Sequence, residues 1–98
     1  MRNVSIVWLA EASTEKDEIL DYIAEHSVLA ALGIDQHIFD QVSQLGEFPF
    51  LGRKGRIPDT FELVISSTPY IVAYRIYGNQ AQILHVFHEK RDWPLNPF

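Results

Sequence analysis

Near residue 60 the apolar repeat of this chain changes from a helical period to strict alternation, and that switch limits the fold more than any other feature. Upstream of it, Ile34, Ile38, Val42 and Leu45 recur at spacings of four, four and three and so share one helix face. Downstream, Phe61–Ser66, Tyr70–Tyr77 and Ala81–His88 read as strands, with Tyr70, Val72, Tyr74 and Ile76 on one side and Leu84 and Val86 continuing the stripe. Thr68-Pro69 and Gly78-Asn79 are turn dipeptides, so these strands form an antiparallel meander.

The first half supplies the other layer. Val4–Leu9 alternates, with Val4, Ile6 and Trp8 on one face, and predicts a first strand. Thr14 with Asp17 three residues on fits a capping box, and acidic residues in the first turn suit the helix dipole, predicting a helix over Glu15–His26. Its apolar side carries Ile19, Leu20, Tyr22 and Ile23. Ser27 caps a second helix over Val28–Leu45, and Gly46 stops it. Glu47–Asp59, with Pro49, Gly52, Gly55 and Pro58, reads as loop. The order β-α-α-β-β-β predicts an α+β fold. A helical hairpin packs on one face of a four-stranded, mainly antiparallel sheet and leaves the other face partly open. Residues 1–98 make a single domain, with Leu95–Phe98 as a tail.

Composition removes several function classes. With no cysteine, disulfides and thiolate metal sites are excluded. No apolar run approaches the ~20 residues that span a bilayer, so no membrane partner is expected. The N-terminus suits a strand better than a signal peptide, and the default location is cytoplasmic. Net charge is −5, split between −7 over residues 1–49 and +2 over residues 50–98. The acidic total argues against indiscriminate nucleic-acid binding but leaves room for a basic patch in the second half.

Four histidines are present, yet His26 and His37 belong to the helices, and strand geometry turns His85 and His88 to opposite faces. No metal or other cofactor is expected. There is no nucleophile elbow, and GRKG from Gly52 to Gly55 is too short for a phosphate loop. General acid–base chemistry is the open option. His88 at the end of the last strand is the proton carrier, with Glu62 or Glu89 as the complementary base. Arg53, Lys54, Arg56, Arg75 and Arg91 are cations for a phosphorane-like charge in metal-free RNA cleavage. The simpler readings are a strand-end histidine bonded to a carboxylate, an Arg75–Glu62 cross-strand pair, and a Trp93 that closes the sheet edge. Beside Arg91, Trp93 could instead stack on RNA.

Several short pieces of the sequence, in order, resemble the RelE/ParE superfamily of type II toxin–antitoxin toxins. They are Val7-Trp8 with Ala12, Ile19 with Tyr22-Ile23, Leu45 with Phe48-Pro49 and Gly52-Arg53, and Arg56-Ile57-Pro58 with Thr60 and Glu62-Leu63. Pro69-Tyr70-Ile71-Val72 with Tyr74-Arg75, and Ile83-Leu84 with Val86, His88 and Arg91-Asp92-Trp93, complete the set. The resemblance implies a growth inhibitor neutralised by a cognate antitoxin. Its target would be DNA gyrase in ParE-like members, or messenger RNA in the ribosome in RelE-like ones. This chain departs from the ribonuclease branch at Tyr70, where that branch usually carries a cation, and in its acidic sequence pI of about 5.2. Phe61 also replaces the superfamily's usual Arg before Glu-Leu. The resemblance therefore implies the ParE branch, with a ribosome-dependent endonuclease using His88, Arg75 and Arg56 as the alternative and a non-toxic antitoxin-binding module as a third. Arg53, Lys54, Arg56, Arg91 and Trp93 are the expected antitoxin or target contacts, meeting antitoxin carboxylates.

Overall fold

A computed structural model describes residues 3–91. The elements are β1 (Ser5–Trp8), α1 (Ala10–Ala24), α2 (Val28–Ser43), β2 (Arg53–Lys54), β3 (Phe61–Val64), β4 (Tyr70–Tyr77) and β5 (Gln80–His88), with a 3-10 turn at Gln44–Gly46. They form an α+β fold whose sheet runs in the order β1-β5-β4-β3-β2. The meander is as expected. β1 joins in parallel beside β5 within the mainly antiparallel sheet, and one feature differs: Arg53–Lys54 of the expected loop pairs antiparallel with Glu62 and Phe61, giving five strands instead of four.

The first helix starts earlier than its sequence suggests. The Leu9 N–H closes the β1 ladder on the Ile83 carbonyl at 3.1 Å, and its own carbonyl accepts from Ser13 at 3.1 Å, so the strand turns directly into α1. Leu9 occupies the N-cap without a side-chain bond, and Thr14 lies in the helix interior instead of opening it. The local capping signal lost to the end of a tertiary ladder. Ser27 does cap α2, its hydroxyl accepting from the Ala30 N–H at 3.1 Å.

The main core lies between helices and sheet. Ile38, Val42 and Leu45 meet Val72, Tyr74, Ile83 and Val86, with Ala12 as the fully buried residue of α1. Tyr74 is buried with both its bonds met: its hydroxyl donates to the Pro49 carbonyl and accepts from the Gly52 N–H, each at 2.9 Å. Burial therefore raises its phenol above the ordinary value, although the Gly52 bond works the other way. A smaller cluster, Ile71, Ala73 and Phe87, sits on the opposite sheet face. One residue of β5 sets this arrangement. Tyr74 faces Ile83 and Ala73 faces His85, so Leu84 is a bulge that resets the alternation.

Candidate functional site

The basic loop and the end of β5 hold most of the expected site residues, and the sheet keeps them apart. Glu62 follows Phe61 in β3 and pairs with Arg53 of β2. Its carboxylate is 1% exposed, yet it is fully met: Arg53 Nη2 lies 2.9 Å from Oε1, Arg56 Nε lies 3.4 Å from Oε2, and the Arg56 backbone N–H donates to Oε2 at 3.1 Å. The Arg56 guanidinium also lies 6.0 Å from the centre of the Phe87 ring, on the face away from the helices. Two cations assigned to a partner are therefore already engaged inside the fold. Among the named loop cations, Lys54 has no ion pair in the described structure.

His88 lies on the other face. It is in register with Tyr70, packs edge-on against that ring at 5.6 Å, and lines a cleft of about 250 Å³ with Glu18, Tyr22, Tyr70 and Arg91. Its Nδ1 accepts from the Lys90 N–H at 3.0 Å, which places the proton of the neutral ring on Nε2 and aims a donor outward. Burial, with Tyr22 nearby, holds the Tyr70 phenol above its ordinary value, so it too is a hydrogen-bond donor. Arg75 stands near the far end of the β4–β5 ladder, in register with Gln82, to whose Oε1 its Nε donates at 2.7 Å. The expected Arg75–Glu62 pair does not form, because Glu62 faces Ala73 across the meander and takes Arg53 and Arg56 instead. Trp93 lies outside the described residues.

His85 has a different environment. Among the described residues, the edge of β5 beyond Ile83 has no strand beside it, because β1 ends at Trp8. Glu15 of α1 fills that edge: one carboxylate oxygen accepts from the Val86 N–H at 3.0 Å and lies 3.1 Å from His85 Nδ1. Glu11, one turn earlier, sits 3.3 Å from His85 Nε2. Among the described residues no group of three or more His, Cys, Asp or Glu is arranged to hold a metal ion.

Sequence reasoning missed two features. Tyr22 and Glu18 form the helix wall of the His88 cleft, although nothing local in α1 marks them. The outer side of α2 exposes Val28, Leu29, Leu32 and Phe39. That patch was visible in principle, as apolar residues in excess of the Ile34-Ile38-Val42-Leu45 stripe.

Residues 6–93 match the family profile described as ParE toxin of type II toxin-antitoxin system, parDE. A curated protein of Sinorhizobium fredii named as a toxin, Y4kP, is 39% identical over 94 residues, covering 96% of this chain and 97% of the relative. A solved structure described as the chromosomal ParDE TA system from P. aeruginosa superposes with a TM-score of 0.77 at 27% identity. That match covers 87% of this chain and 95% of the other.

Proposed function

The chain belongs to the ParE toxin family of type II toxin–antitoxin systems, and on that premise we propose that it arrests growth by poisoning DNA gyrase and is silenced by a cognate antitoxin. The observation that carries the choice of target is the separation of His88 from Arg56 and Arg75. His88 opens into the cleft beside α1, whereas Arg56 lies over Phe87 on the opposite sheet face and Arg75 is bonded to Gln82. Metal-free RNA cleavage needs a proton carrier and cations around one phosphate. These three side chains do not converge on one. Protein–protein poisoning of an enzyme asks for no such constellation.

The exposed apolar side chains of α2 support an antitoxin partner, since a covered Leu29–Phe39 face removes an aggregation liability. No described helix is long and apolar enough to cross a membrane.

Induced expression of the parent chain and of His88→Ala, with an SOS reporter, tests the target. Growth arrest with filamentation and SOS induction in both, together with gyrase-dependent DNA cleavage by the purified chain, is the expected result. Rapid loss of translated transcripts, abolished in folded His88→Ala, would replace it with the ribonuclease reading. Unimpaired growth would leave a non-toxic binding module.

A further inference from the structure

At the hairpin end of β4 and β5, four polar and aromatic side chains share the sheet face turned away from the helices. Tyr74, Ile76, Ala81 and Ile83 belong to the main core, so the alternating Arg75, Tyr77, Gln80 and Gln82 point outward. Arg75 is in register with Gln82, and Tyr77 with Gln80. They are joined in a chain: Arg75 Nε donates to Gln82 Oε1 at 2.7 Å, and Gln82 Nε2 donates to Gln80 Oε1 at 2.9 Å. The Arg75 guanidinium also lies 5.6 Å from the centre of the Tyr77 ring, and Tyr77 is 66% exposed.

Chemistry fixes the direction of this chain. Arginine has donors and no acceptor, so Gln82 turns its oxygen to Arg75 and its amino group to Gln80. Gln80 answers with its own oxygen, which leaves its amino group pointing onward. Both amide oxygens are thus engaged inside the patch. The groups left facing outward are donors: Nη1 and Nη2 of Arg75 and the amino group of Gln80. Among the described residues no carboxylate pairs with Arg75. Beyond β5 the same face continues with Ser5 and Val7 of β1, which bring no charge. The result is a donor-rich, positively charged surface beside an exposed aromatic ring.

Resting on the gyrase reading, we propose that this patch holds the phosphodiester backbone of the duplex DNA bound to gyrase, so that the toxin grips enzyme and DNA together. Arg, Gln and Tyr side chains commonly meet phosphate oxygens, and a surface that offers donors positions a backbone without reading base edges. Arg75 and Gln80 occupy diagonal positions of the ladder, about 7–8 Å apart. A single carboxylate answers one of them. A strand of DNA, with a phosphate every ~3.4 Å of axis, offers acceptors to both. The net charge of −5 sets the order of events. Free duplex repels the chain as a whole, and one patch of this size does not overcome that. The contact forms where gyrase already presents the DNA.

Binding of the purified chain to gyrase, measured with and without linear duplex DNA on the enzyme, tests this. The parent chain should bind the DNA-loaded enzyme about tenfold more tightly than the bare one, an advantage that fades with added salt. Gln80→Glu keeps an oxygen for Gln82 and turns a carboxylate outward in place of the amino group, so it reverses the outward polarity and leaves the internal bond. It should lose the preference for DNA while binding bare gyrase as the parent does, and Arg75→Ala should do the same. A parent chain indifferent to DNA, or variants that keep its preference, overturn the proposal and leave the gyrase reading standing. A loss as large on the bare enzyme assigns the patch to a protein contact and also overturns it. No binding of the parent chain to either form of gyrase removes both readings.

Discussion

The Glu62 carboxylate lies 2.9 Å from the Arg53 guanidinium and is 1% exposed, while the Arg53 side chain is 54% exposed. The anion is inside, and its cations form the lid. Arg53→Ala with Arg56→Ala leaves a buried carboxylate without a counterion and should cost about 3–5 kcal/mol. Glu62→Ala leaves two solvated cations and should cost less, about 1–3 kcal/mol. Urea denaturation of the three chains gives the order. Equal losses would mean that the carboxylate is hydrated in solution.

Glu15 ties α1 to the edge of β5 through the Val86 N–H and His85. Glu15→Ala strands a backbone donor and should lower stability by about 1–3 kcal/mol. Glu11, whose side chain is 69% exposed, makes one solvent-screened contact to the same histidine, and Glu11→Ala should change stability by under about 0.5 kcal/mol. Thermal melting of the two variants separates the roles.

Two glycines should respond oppositely to alanine. A Cβ at Gly52 would meet the Tyr74 ring at 2.8 Å and the Glu62 carbonyl at 3.0 Å, both fixed by the core. Gly52→Ala should therefore cost about 1–3 kcal/mol. At Gly33 in α2 a Cβ meets nothing within 4 Å. Gly33→Ala should stabilise by about 0.5–1 kcal/mol through helix propensity. Chemical denaturation of both variants checks the sign.

Tyr70 and Tyr74 are held protonated by burial, above the ordinary phenol value. Their unfolded forms ionise first, so stability is unaffected below about pH 10 and declines as pH rises through the folded values. Melting followed upward from about pH 9 should show this decline, and phenolate absorbance should lag for these two rings. Tyr70→Phe, whose lost hydroxyl makes no hydrogen bond among the described residues, should flatten part of the slope.

Much of the architecture was legible in local pattern. The stripe of α2, the Ser27 cap, the Tyr70–Tyr77 strand and the two hairpin turns appear where their residues place them. Each depends on neighbours within a few positions, so the sequence period carries them. The site was less legible. His88, Arg56 and Arg75 were grouped by chemistry, and chemistry alone does not say which sheet face a residue occupies.

By itself, the sequence determined the element types, the helical hairpin, the meander and the uneven distribution of charge. Tertiary structure alone decided that β1 lies parallel to β5, that Arg53–Lys54 becomes a strand, and that Leu84 bulges. It also decided that Glu62 takes Arg53 and Arg56 while His88 turns to α1. The physical reason is that side-chain period is local, whereas register is settled by hydrogen bonds between distant segments. One unpaired residue in β5 reverses every face beyond it, and no local pattern announces where that residue falls.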